Sequence, residues 1–119
     1  EDRDALAALG SLASVLKAQG KLGEAEEVCR RAMERCEAGR GADDSETLRH
    51  ASSLAGLLHS QGRLEEAEAL YRHTLERRRA VLGPGHPKVI RSLYKLAYAL
   101  HEQERLEDAE ALYREALEA

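Results

Sequence analysis

The 119-residue chain predicts an all-α fold, six helices arranged as a stack of three hairpins. Three observations carry that expectation. The chain is 43% hydrophobic but only 3% aromatic, and Ala, Leu, Glu and Arg, all strong helix formers, dominate it. Strand formers are scarce, which argues against an all-β or α/β fold. Second, the chain repeats itself at an offset of 42 residues, Leu54 falling on Leu96. Leu54 to Glu76 lies over Leu96 to Glu118 without a gap, and sixteen of the twenty-three pairs are identical. They include His59/His101, Gln61/Gln103, Arg63/Arg105, Glu68/Glu110, Tyr71/Tyr113 and Leu75/Leu117. Stepping back once more finds a third copy at Leu12, Ala13, Leu16, Gln19, Leu22, Ala25, Glu26 and Arg30. Third, each unit carries two apolar stripes at helical spacing.

The first stripe runs through Leu6, Leu9, Leu12, Ala13 and Leu16. It recurs as Leu48, Ala51, Leu54, Ala55 and Leu58, and as Ile90, Leu93, Leu96, Ala97 and Leu100. The second runs through Leu64, Ala67, Leu70, Tyr71, Thr74 and Leu75. Helices are therefore expected at 3–18, 22–38, 45–60, 64–81, 87–102 and 106–118. Gly20 and Gly62 divide the two helices of a unit, where a chain leaving a helix adopts a left-handed residue. Glu104 stands at that position in the third unit, so its turn is expected to carry strain or a different cap. Between units, Asp44 suits an N-cap and Pro87 the first position of a helix. Asp2 has the capping part by register. The units fall at 1–43, 44–85 and 86–119 of a single array, and its start and stop suggest a piece of something longer.

One hairpin cannot bury its own apolar stripe, so neighbouring hairpins must cover each other. Small Ala at 13, 55 and 97, and at 25, 67 and 109, lets paired helices approach closely. These residues resemble the tetratricopeptide repeat (TPR): a small residue in each first helix, another early in each second helix, and an aromatic four further on at Tyr71 and Tyr113. Cys29 is the departure. The 42-residue unit, with Gln61-Gly62-Arg63-Leu64-Glu65-Glu66-Ala67-Glu68 and Leu82-Gly83-Pro84-Gly85-His86-Pro87, is similar to the longer kinesin light chain type. The resemblance implies a right-handed superhelical solenoid whose first helices line a concave groove. Where kinesin light chains carry Asn, this chain has Gly10 and Ser11, Ser52 and Ser53, Tyr94 and Lys95. The carboxylate clamp of other TPRs needs Lys and Asn where Gly10 and Ser14 stand.

Carried through the register, the resemblance gives groove residues Lys17 in the first unit, Arg49, Ser52, Ser53 and His59 in the second, and Arg91, Tyr94, Lys95, Tyr98 and His101 in the third. Four cations in this set make the wall locally basic in a chain of net charge −4. The expected function is a protein-interaction scaffold that takes an extended or helical partner segment of acidic character. Arg would fork onto carboxylates, and Tyr would supply flat apolar surface. The alternative is structural: exposed array ends stacking end to end, or a swapped homodimer.

Other chemistries find less support. The acidic balance argues against a general nucleic-acid binder. Arg77, Arg78 and Arg79 could form a small basic patch for RNA or anionic lipid, but no aromatic stands beside them for stacking. His59 and His101 could approach each other, yet lack a metal's full ligand set. Cys29 and Cys36, seven apart, are separated by about 10.5 Å of helix, beyond the roughly 7 Å limit for a disulfide. They read as packing thiols of a reduced, cytoplasmic chain. There is no Gly-rich phosphate loop, Gly-x-Ser-x-Gly or His-Glu-x-x-His, so neither an enzyme nor a cofactor is expected.

Overall fold

The protein is described by a computed structural model over residues 3–118. Its helices are α1 (Arg3–Ala18), α2 (Leu22–Arg40), α3 (Ser45–Ser60), α4 (Leu64–Leu82), α5 (Pro87–Glu102) and α6 (Leu106–Glu118). Every expected end holds to within two residues. Among the described residues there is no strand.

The turns inside the hairpins share one mechanism. The Lys21 N–H donates to the Leu16 carbonyl at 2.9 Å and the Gly20 N–H to Lys17 at 3.0 Å. The same pair of bonds closes the turn at Gly62–Arg63 and again at Glu104–Arg105. This is the Schellman arrangement, which needs a left-handed residue at its apex. Gly20 and Gly62 supply it with φ of 81° and 78°, and Glu104 is forced to φ 61°. The strain expected at Glu104 is therefore present, since a Cβ in this region crowds the following carbonyl. At the unit boundaries Asp44 accepts from the Glu46 N–H at 2.9 Å. Pro87 opens α5, and His86 caps it by accepting from the Lys88 N–H on Nδ1 at 3.1 Å. Asp2 lies outside the described residues.

Each helix packs chiefly on its neighbours in sequence, α1 on α2 through to α5 on α6. The molecule is correspondingly flat and elongated, 40 × 31 × 18 Å. Ala25, Ala55, Ala67 and Ala97 are fully buried, and Ala13 and Ala109 nearly so. These are the close-approach positions. Leu54, Leu93, Leu96 and Leu100 fill the layers between helices, each burial worth about 1.5–3 kcal/mol. The Tyr71 hydroxyl reaches Gly56, lying 3.5 Å from where a Cβ would stand, an ordinary van der Waals contact. Both cysteines are buried free thiols. Cys29 Sγ donates to the His50 carbonyl at 3.3 Å, and burial pushes its thiol up to about 11. Such a group is inert packing material at neutral pH.

Candidate functional site

Arginine is disposed in two different ways in this fold. Along the edge where the hairpin turns stack, it is neutralised. Glu26 on α2 accepts from Arg30 of its own helix at 3.0 Å, from Gln61 Nε2 at 2.9 Å and from Arg63 at 2.7 Å in the next unit. Glu68 on α4 repeats the pattern, accepting from Arg72 at 2.8 Å, Gln103 at 3.3 Å and Arg105 at 2.6 Å. Hydrogen bonds from Gln61 and Arg30, with the charges of Arg63 and Arg30, outweigh burial and hold Glu26 below the ordinary carboxylate range. For Glu68 burial pushes upward, but bonds from Arg72 and Gln103 and the charges of Arg105 and Arg72 overcome it.

The face built by α1, α3 and α5 is different. Lys17, Arg49, Ser52, Ser53 and Lys95 line one depression of about 330 Å³, floored by Gly10, Gly56 and Tyr71. Lys95 Nζ donates to Ser52 Oγ at 3.4 Å. Beside it, Arg78 is buried and donates to Ser92 Oγ at 3.0 Å. Burial, then the charges of Arg78, Arg91 and Lys17, hold the Lys95 ammonium below the lysine range. Burial and Arg91 do the same to Arg78. Lys17 and Lys95 line the same depression, and the charges of Arg78 and Arg91 also bear on Lys95. Among the described residues, no carboxylate is seen bonded to any of them.

The predicted groove residues therefore separate. Lys17, Arg49, Ser52, Ser53 and Lys95 converge, whereas Arg91 lines the α5–α6 end beside Tyr94. Ser52 is buried and acts as the acceptor for Lys95 rather than as free surface. Arg49 is exposed but forked onto Glu46, at 2.6 and 3.2 Å. His59 meets the third unit instead of His101. Its ring stacks on Tyr98 at 5.7 Å and 16°, and Nε2 lies 3.2 Å from Glu102 Oε1. Tyr94 tilts against Tyr113 at 5.8 Å and faces the α5–α6 end, together with Pro87, Ile90 and Leu117. His101 lies on that end too, with Leu106, Tyr113 and Leu117.

Arg78 and His50 were missed by sequence reasoning, although the register held the signal. Arg78 is 42 residues beyond the buried Cys36, and His50 is 42 before the buried Ser92. His50 is buried, and burial followed by Arg49 lowers its pKa, with Glu46 opposing. The possible basic patch at 77–79 is dispersed: Arg77 forks onto Asp43, Arg78 turns to Ser92, and Arg79 pairs with Glu115. One face of the helix cannot present three consecutive side chains, which point about 100° apart.

Stacked two-helix units with a Schellman turn inside each one define a helical-repeat array, an all-α right-handed superhelical solenoid. The chain belongs to the tetratricopeptide repeat family, whose model matches residues 4–78 and 46–119. Repeats of this family generally mediate protein–protein interaction or assembly. Among curated proteins no match was found. Similar solved structures include a Podosopora anserina protein described as a kinesin light chain with nearly identical TPR-like repeats. It has 21% identity and a TM-score of 0.87 over 98% of this chain and 55% of that one. A variant of it has 20% identity and a TM-score of 0.85 over 94% and 53%. BtubC (BKLC) from P. vanneervenii has 19% identity and a TM-score of 0.88 over 98% and 46%. The chain spans about half the length of these structures. No helix among the described residues is long and apolar enough to cross a membrane.

Proposed function

We propose that the α1–α3–α5 face, in units bounded at 1–43, 44–85 and 86–119, is a concave groove for an acidic segment of a partner protein, extended or helical. One observation carries the reading: Lys17, Arg49 and Lys95 line one depression, and among the described residues Lys95 and the buried Arg78 are seen bonded to serine hydroxyls rather than to carboxylates, while the turn edge pairs its arginines with glutamates. Bringing like charges together costs stability, and an anionic visitor removes that cost. Arg91 offers a forked contact, and Lys17 and Lys95 offer point charges. The half-exposed ring of Tyr98, stacked on His59, adds flat apolar area on α5. Arg49 contributes less, because a partner must compete with Glu46.

The test is titration of fluorescent acidic peptides against the chain, with sequence-matched Gln/Asn peptides as controls. The double variant R91E/K95E should weaken the acidic peptide at least about tenfold. Salt should weaken wild-type binding, as screening demands. Equal affinity for the neutral peptides, or indifference to R91E/K95E, would overturn the assignment.

A further inference from the structure

The α2–α3 and α4–α5 junctions differ at one pair of buried positions. Arg78 on α4 bonds directly across to Ser92 on α5 at 3.0 Å. The register mates of this pair are Cys36 on α2 and His50 on α3. They are buried too, at 1% and 3% exposure, but a cysteine is far shorter than an arginine. In place of a direct bond, Cys36 and His50 line a cavity of about 380 Å³ between α1, α2 and α3.

The lining of that cavity suits an oxyanion. Arg3, Arg40 and Arg49 bring guanidinium groups to it, against the carboxylate of Glu46. His50 is a second and independent feature. Among the described residues no hydrogen bond to its ring is seen, whereas buried polar groups are ordinarily bonded. Cys29 uses only the His50 backbone carbonyl. The ring edge reaches α1, with Cε1, the atom between the two nitrogens, 3.5 Å from where a Cβ on Gly10 would stand. Burial, then the charge of Arg49, lower its pKa against the pull of Glu46, so at pH 7 the ring is neutral and offers one N–H.

The carboxylates already in place select among oxyanions. Arg49 is forked onto Glu46 at 2.6 and 3.2 Å, and Arg40 lies 3.9 Å from Asp44. A visiting carboxylate would only exchange one such contact for another. A phosphomonoester carries about −1.5 to −2 charge and three strong acceptor oxygens, which can engage an N–H and more than one guanidinium fork together. We infer that the cavity between α1, α2 and α3 binds a phosphomonoester, held by Arg40, Arg49 and the His50 ring, with Arg3 facing them from α1. The site adjoins the proposed groove and shares Arg49 and His50 with it, but Arg40 and Cys36 belong to this cavity alone.

Isothermal titration calorimetry tests the site with O-phosphoserine and with a phosphoserine peptide, each against its serine and glutamate counterparts. The phosphorylated ligands should bind and the counterparts should not. Comparable affinity for the two assigns the phosphoryl group to a small molecule, and binding of the peptide alone assigns it to a protein side chain. His50→Ser gives α3 the residue that α5 carries here and keeps the carbonyl that Cys29 uses; it should weaken binding at least about tenfold. Arg40→Gln should do the same while leaving capture of unphosphorylated acidic peptides intact, and circular dichroism checks that both variants fold. Equal affinity for the glutamate ligands, no binding of either phosphorylated ligand at ~1 mM, or folded variants that bind as the wild type does would each overturn the inference.

Discussion

The turn edge and the α1–α3–α5 face place arginine and lysine to opposite ends. At the edge, Glu68 gathers Arg72, Gln103 and Arg105 within 3.3 Å and ties the second unit to the third. On the face, among the described residues, Arg78 and Lys95 are seen bonded to serine hydroxyls alone, and the charge of Arg91 bears on both. The first arrangement holds the stack together. The second sets like charges against one another, a cost that the proposed acidic partner would relieve. Charge of one sign thus serves cohesion where a carboxylate was built in beside it and, in the proposed function, recognition where none was.

Breaking the edge should have the largest effect. Glu68→Ala removes the acceptor shared by Arg72, Gln103 and Arg105, leaving Gln103 the Ala99 carbonyl and Arg105 the Asp108 carboxylate, and should cost about 2 kcal/mol in urea unfolding. Glu110→Ala breaks an exposed pair with Arg114 and should cost under ~0.5 kcal/mol, as exposed pairs usually do. Equal losses would mean that the inter-unit bonds contribute nothing.

Acid probes the same contrast without mutation. Glu26 and Glu68 titrate below the ordinary carboxylate range when folded. Their stabilisation is complete above the unfolded carboxylate pKa of about 4.3 and is lost as pH falls through their folded values. The melting temperature should therefore drop on acidification below about pH 4.5, and the drop should shrink in Glu68→Ala. An unchanged pH profile in that variant would remove Glu68 from the account.

Lys95 should behave in the reverse sense. Its folded pKa is depressed, so the charged form is disfavoured in the folded chain, and stability should rise with pH as it deprotonates. Lys95→Met keeps the buried stem and removes the charge. It should gain about 1 kcal/mol in stability while weakening acidic-peptide capture. A variant losing both would make Lys95 a structural residue.

The smallest effect belongs to the third turn. Glu104→Gly relieves a left-handed residue and should add up to about 1 kcal/mol, leaving the Glu68 bonds and peptide binding as they were. No gain would show that the strain is relaxed locally.

The legible parts of this molecule are those set by neighbours in sequence. Helix ends, the Asp44 cap, Pro87 at the start of α5 and the left-handed turns at positions 20, 62 and 104 all follow from contacts within a few residues. The six close-approach alanines were legible because a 42-residue offset repeats them. The candidate site was legible only in part. Register brought Lys17, Arg49, Ser53 and Lys95 to one wall, but it hid the pairing of Arg49 with Glu46, the burial of Ser52 and the inward turn of Arg78.

Sequence alone determined the repeat unit, the class of fold and the side of each hairpin that had to be covered, because periodicity and capping act at short range. Tertiary structure decided which cations are neutralised and which are left in company with one another. Those outcomes depend on what a neighbouring hairpin brings within bonding distance, and no single helix holds that information.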